Sequence, residues 1–205
     1  MRHRIFGQGQ PQDAFTDVLF NILLGFALMF MAALAVMEDP EKKGKVEKKA
    51  EILVTIRWPD RHPDDVDAIV EGPGGELLWY NNRDTALMHL DRDDRGLFAD
   101  RLVLDGVTVS NPINQETVTL RALQPGEYVV NLLHYKSNYR EPLPVDVKVE
   151  KLNPEVSLVY FGTRKLVGTG DEQTAVRFTV GPGGDVVGTN ELPKSLVARV
   201  VKESS

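Results

Sequence analysis

The sequence predicts a single N-terminal transmembrane α-helix followed by an all-β, immunoglobulin-like sandwich domain. Three observations carry this. Residues 15–37 read FTDVLFNILLGFALMFMAALAVM, with only Thr16, Asp17 and Asn21 polar. From Glu51 onward the pattern changes to period-two alternation, as in ILVTIRW (52–58) and LPVDVKVEKL (143–152). Gly and Pro punctuate those stretches at short intervals, and no long amphipathic helix breaks them, which is the signature of many short strands joined by turns. The chain then divides into a tail (1–10), a helix (11–38), a charged linker (39–50) and a β domain (51–205).

A bilayer core requires about 20 apolar residues of helix, and the stretch 15–37 supplies them. The competing assignment is a cleaved signal peptide, whose apolar region would be about 7–15 residues long; Ala33-Leu34-Ala35 is a weak cleavage pattern. The run here is longer and carries an acid, so a retained anchor is expected. Pro11 suits a first helical turn, where its missing N–H costs nothing, and Asp13 then suits the positive end of the helix dipole.

Asp17 is the informative residue. A carboxylate within a span costs about 2.5–3.5 kcal/mol at the helix centre on insertion scales and less near an end. At 100° per residue, positions 17, 21, 24, 25, 28 and 32 share one face, reading Asp, Asn, Leu, Gly, Leu, Ala. The opposite face, Val18, Ile22, Phe26, Met29 and Ala33, has no polar group. A stripe that is polar at one end and narrow further along fits a helix packed among other helices. An ordinary anchor whose Asp snorkels to the headgroups is the plainer alternative.

Asp17-Val18-Leu19 followed by the apolar run to Phe30 resembles the single transmembrane helix of the small subunit of ion-driven membrane motors, a family that includes the flagellar stator B subunit and the ExbD and TolR proteins. The resemblance covers about residues 11–40. It implies a short cytoplasmic tail and a bacterial inner-membrane location with the C-terminal domain in the periplasm. It also implies a homodimer whose two helices sit inside a ring of a multi-span, channel-forming subunit. Asp17 maps to the Asp that carries a proton or sodium ion, and Thr16 and Asn21 stand where they could orient it. The family's own C-terminal domains are mixed α/β, from which this chain departs, so the periplasmic target is open.

Orientation is contested within the sequence. Arg2 and Arg4 precede the span, but Lys42, Lys43, Lys45, Lys48 and Lys49 follow it, and the Lys/Arg count favours the reverse topology. The resemblance favours a cytoplasmic N-terminus, which is the expectation adopted. The linker EDPEKKGKVEKKA (38–50) lacks a core pattern and reads as a solvated juxtamembrane segment; by the same resemblance it is a candidate channel plug.

In the β domain, strands are expected at 52–58, 66–72, 76–80, 116–123, 125–135, 143–152, 156–162, 174–181 and 185–188. VDAIVEG and ELLWY flank GPGG as a hairpin. GPGG recurs at 181–184, again as a tight turn. LPKSLVARVVK (192–202) reads as a last strand or a short helix. The order Trp58, Asp64-Asp65-Val66-Asp67, Pro73-Gly74-Gly75, Tyr80 and Pro125-Gly126-Glu127-Tyr128-Val129-Val130 resembles uncharacterised bacterial PGEY-type immunoglobulin-like domains, which supports the fold and says little of function.

Two acidic runs stand out. Asp91-Arg92-Asp93-Asp94-Arg95-Gly96 places Asp91, Asp93 and Asp94 at a spacing suggestive of a calcium loop, although the distal bidentate Glu of an EF-hand is missing. Asp64-Asp65-Val66-Asp67 is the other. Both read more simply as solvated turns with local Asp–Arg pairs.

A net charge of −6 without a basic stripe argues against nucleic acid. The absence of Cys excludes disulfides and thiolate chemistry. His3, His62, His89 and His134 are scattered, without metal-ligand spacing, and read as surface or strand residues. No nucleophile elbow, phosphate loop or HExxH occurs. No enzyme activity and no cofactor is expected. The expected function is the ion-carrying subunit of a motor. The alternative is a membrane-anchored β-sandwich that binds a protein or glycan.

Overall fold

The computed structural model describes residues 14–36, 50–98 and 100–203. The expected cytoplasmic tail, the helix start at Pro11 and the candidate plug (39–49) lie outside the described residues. The chain separates into two units at residues 47 and 48.

In the first unit, α1 spans Ala14–Val36. Its 23 residues extend about 35 Å at 1.5 Å each. The segment Phe15–Leu34 is long and apolar enough to cross a membrane, a property that signal sequences near an N-terminus share. Phe26 and Phe30, one turn apart, stack their rings.

The second unit is an all-β domain. Its strands are β1 Ile52–Trp58, β2 Asp65–Glu71, β3 Leu77–Leu78, β4 Met88–Arg92, β5 Arg101–Leu104, β6 Val107–Ser110, β7 Asn114–Leu120, β8 Gly126–Lys136, β9 Leu143–Lys151, β10 Ser157–Leu166, β11 Glu172–Val180 and β12 Val186–Asn190. One five-stranded sheet runs β10-β9-β1-β7-β4 and another β12-β11-β8-β2-β3, while β5 and β6 form a separate hairpin. The pairings are antiparallel throughout.

Alternation explains how the two sheets meet. Ile52, Val54, Ile56 and Trp58 of β1 point to the same core as Val66, Ala68 and Val70 of β2 and Phe178 of β11. Burying one such side chain stabilises the fold by about 1.5–3 kcal/mol. The second sheet also has a covered outer face. There Ile69, Leu77, Trp79 and Val129 pack with Leu196 and Val200, brought in by α2 (Val197–Glu203). Strand β2 is buried at all seven positions, including its three acids.

Most expected strands are present with boundaries shifted by a residue or two. Both GPGG segments form the same turn: the Gly75 N–H donates to the Gly72 carbonyl and the Gly184 N–H to the Gly181 carbonyl. Gly75 and Gly184 adopt φ of 84° and 80°, a region a side chain would strain. Two differences emerge, and one alternative left open by the sequence is resolved. Met88–Arg92 is a strand because it pairs with β7 along the sheet edge. Residues 101–110 form a hairpin about Asp105-Gly106, both at positive φ. Of the two forms the sequence allows for the final segment, residues 197–203 take the expected short helix, and its N-terminus is fixed by Glu172, whose Oε1 accepts the Leu196 and Val197 N–H groups.

Candidate functional site

Among the described residues, two places hold acids in unusual settings. The first is the N-terminal end of α1. Asp17 lies in its first turn, preceded by Thr16 and followed one turn later by Asn21. Helical geometry over Ala14–Val36 places Asp17, Asn21 and Gly25 on one face, as the sequence requires. All three are exposed among the described residues.

The second place is in the β domain, where the structure corrects the reading of the acidic runs as solvated turns. Asp64, Asp65 and Asp67 are all buried. Asp64 binds structurally: its Oδ2 accepts from His134 Nε2 at 2.9 Å and its Oδ1 from the Asn138 backbone N–H at 2.6 Å. Its carbonyl accepts the Trp58 indole N–H at 3.1 Å. His134 is thus a buried strand residue tied to an acid.

Asp67 belongs to a different group. Carboxylate oxygens of Asp67, Asp93 and Glu116 lie within 4.8 Å of one another. The arrangement follows from sheet topology. Beyond Val70, β3 no longer pairs with β2, which leaves the Ala68 N–H without a strand partner on that side. Glu116 reaches from β7 of the opposite sheet, and its Oε2 accepts that N–H at 2.7 Å. Asp93 follows directly after β4 and closes the group, with Arg83 Nη1 at 3.8 Å from its Oδ2.

Burial dominates the electrostatics of this group. It pushes the Asp67 carboxyl up to about 8, reinforced by the charges of Asp65 and Asp93. Burial, then Asp93, pushes Asp65 up to about 6. Glu116 is raised well above the usual carboxylate range, first by burial and next by Asp67, against the opposing effect of the Ala68 N–H. A dry environment disfavours the charged form of each carboxylate, and like charges add to that. Glu116 Oε1, Asp93 Oδ1 and Asp65 Oδ1 are buried without a hydrogen-bond partner.

The structure draws only Asp93 of the run 91–94 into this group. Asp91 is exposed and accepts from the Thr119 hydroxyl. Asp94 is buried against Arg92 and accepts the Gln115 N–H. Sequence reasoning passed over Glu116, and the available signal was its register. Asn114, Glu116, Val118 and Leu120 alternate toward the core, so an acid at 116 is directed inward.

Comparison with protein-family profiles, curated proteins and solved structures finds no match to this chain. The chemistry of both places rests on their own residues. The carboxylate group presents hard oxygen donors and no sulfur or imidazole, a donor set suited to a divalent cation of the calcium or magnesium type or to shared protons. The α1 site presents a lone acid in an apolar helix.

Proposed function

We propose that this chain is the ion-carrying small subunit of a proton- or sodium-driven membrane motor. Asp17, in the first turn of a membrane-length helix and on one face with Asn21 and Gly25, is the observation that carries the reading. Two copies sit with their helices inside a ring formed by a multi-span, channel-forming subunit. A proton or sodium ion entering from the periplasm binds the Asp17 carboxylate and neutralises it, and its release toward the cytoplasm restores the charge. Thr16 and Asn21 orient the carboxylate. The small residue Gly25 allows a ring helix to approach closely. The chain lies in a bacterial inner membrane with its N-terminus cytoplasmic, and the β domain transmits force to a periplasmic target.

The β domain is of the immunoglobulin-like type in this reading. The Tyr128 hydroxyl near the start of β8 accepts the Gln124 N–H at 2.9 Å and donates to the Gln124 carbonyl at 3.3 Å. That is the hydrogen-bond pattern of the tyrosine corner found in such sandwiches.

A second reading, a membrane-anchored β-sandwich that binds a protein or glycan, is favoured by the β5–β6 hairpin. Its Leu102, Val103, Leu104, Val107 and Val109 are all exposed. Exposed apolar groups of this extent mark interaction surfaces.

Ion flux separates the two. The chain is co-expressed with a multi-span partner encoded beside it, reconstituted in vesicles, and compared with Asp17→Asn. Flux that disappears in the variant while the complex still assembles supports the motor. Unchanged flux, or the absence of a stable complex, leaves the anchored binding module.

A further inference from the structure

We propose that Asp67, Asp93 and Glu116 bind one hard divalent cation, calcium above all. This site is separate from Asp17 and does not depend on the motor reading. Three features of the structure lead to it.

The first is geometry. Calcium binds oxygens at about 2.3–2.6 Å, so two of its ligands lie at most about 5 Å apart. One oxygen each from Asp67, Asp93 and Glu116 fall within 4.8 Å of one another, close enough for a single ion to touch all three residues.

The second is unmet bonding. Glu116 is 1% exposed, and only its Oε2 is engaged, by the Ala68 N–H. Its Oε1 has no hydrogen-bond partner, and the same holds for Asp93 Oδ1 and for Asp65 Oδ1. Asp65 stands close enough to act electrostatically on Asp67 and is 7% exposed. Buried polar atoms in native folds are nearly always paired. An acid placed inward on a core-facing strand, with one oxygen held by the backbone and the other open, has the form of a ligand held in position.

The third is charge. Three carboxylates converge, and the nearest cation paired with them is Arg83, 3.8 Å from Asp93 Oδ2 and half exposed. Arg95 and Lys136 act on Asp65. A dication within the group offsets most of the repulsion that burial otherwise amplifies.

The choice among metals follows from the donors. Carboxylate oxygens alone select hard ions over zinc or copper. Magnesium demands near-ideal octahedral geometry and sheds water reluctantly. Calcium accepts an irregular set drawn from two strands and the segment after a third, which is the set present here. Affinities of extracellular calcium modules, about 0.1–1 mM, set the expected range.

The test is calorimetric titration of calcium chloride into the full chain in a neutral detergent after removal of metal with EDTA, at about pH 7.5. The expected result is one calcium per chain and a melting temperature raised by about 3–6 °C at ten times the dissociation constant. Magnesium chloride at equal concentration gives a smaller shift. Glu116→Gln and Asp93→Asn, each checked for folding by circular dichroism, bind about tenfold more weakly or not at all. Asp91→Asn binds as wild type, since Asp91 is exposed and bonded to Thr119. No stoichiometric calcium binding by the wild type up to several millimolar overturns the proposal. So does undiminished binding by both folded ligand variants, or a loss confined to Asp91→Asn.

Discussion

Asp64 and His134, seventy residues apart in sequence, meet inside the β domain with 2.9 Å between the carboxylate and Nε2, and neither side chain has any exposed surface. The same carboxylate accepts the Asn138 N–H, and the Asp64 carbonyl holds the Trp58 indole. One residue thereby ties the end of β1, the entry to β2 and the end of β8. Truncation of Asp64 leaves the buried His134 Nε2 and the Asn138 N–H without their acceptor. Asp64→Ala is expected to cost on the order of 3 kcal/mol, read from the urea midpoint. Asp64→Asn, which keeps one acceptor oxygen, costs less. A double-mutant cycle with His134→Gln gives a coupling above about 0.5 kcal/mol; additive losses would mean that the two side chains act separately.

Tyr128 offers a cleaner substitution. Its ring stacks on Phe178 with centroids 5.1 Å apart, and its hydroxyl binds both backbone groups of Gln124. Tyr128→Phe preserves the ring packing and removes only the hydroxyl. The expected loss is about 1–2 kcal/mol, the cost of leaving a partly buried N–H and carbonyl without their partner. A loss below a few tenths would show that water replaces the hydroxyl there.

How much of this was legible in the sequence depends on the range of each interaction. The strand 52–58 is written in its own alternation, and both GPGG turns in their own residues, so local patterning suffices for them. Met88–Arg92 was missed because MHLDR is short and polar and becomes a strand only through its pairing with β7. The 101–110 hairpin carries a local signal, Asp105-Gly106 between alternating apolar residues. The carboxylate group was not readable as a spacing motif. Asp67 and Glu116 lie 49 positions apart, with Asp93 between them, and the three meet only because Glu116 crosses between sheets to cap the Ala68 N–H. The cover over Ile69, Leu77 and Trp79 on the outer face of the second sheet comes in turn from Leu196 and Val200, far along the chain.

Stability in the absence of metal should depend on pH with a defined sign. Asp67 is raised from 3.8 to about 8 and Asp65 from 3.8 to about 6, in each case chiefly by burial. A carboxyl whose folded value lies above its unfolded value binds more protons when folded. Its contribution is therefore complete below about pH 4 and is lost as pH rises through the folded value. In EDTA, the urea midpoint is expected to fall between about pH 5 and pH 8. A midpoint that rises over this window would mean that these carboxylates are charged and well solvated in the folded state. Calcium, which binds the deprotonated forms, should flatten or reverse the slope.

The two roles of Glu116 separate by substitution. As an acceptor, its Oε2 satisfies the Ala68 N–H at the open edge of β2; as a charge, it sits beside Asp67 in a dry environment. Glu116→Gln keeps the acceptor oxygen and removes the charge. Without divalent cation, at about pH 8, that variant should be at least as stable as the wild type, because an amide carries no cost of ionising in a dry site beside other acids. Glu116→Ala loses the acceptor as well, orphans a buried N–H and opens a cavity, and should cost about 2–4 kcal/mol. Calcium at millimolar concentration should then stabilise the wild type but neither variant, and so place the wild type above Glu116→Gln. Thermal melts of the three proteins in EDTA and in calcium measure this directly. If Glu116→Gln is the less stable in EDTA by more than about 1 kcal/mol, the charge itself is held favourably by surrounding donors, and its role in the fold is that of a satisfied anion.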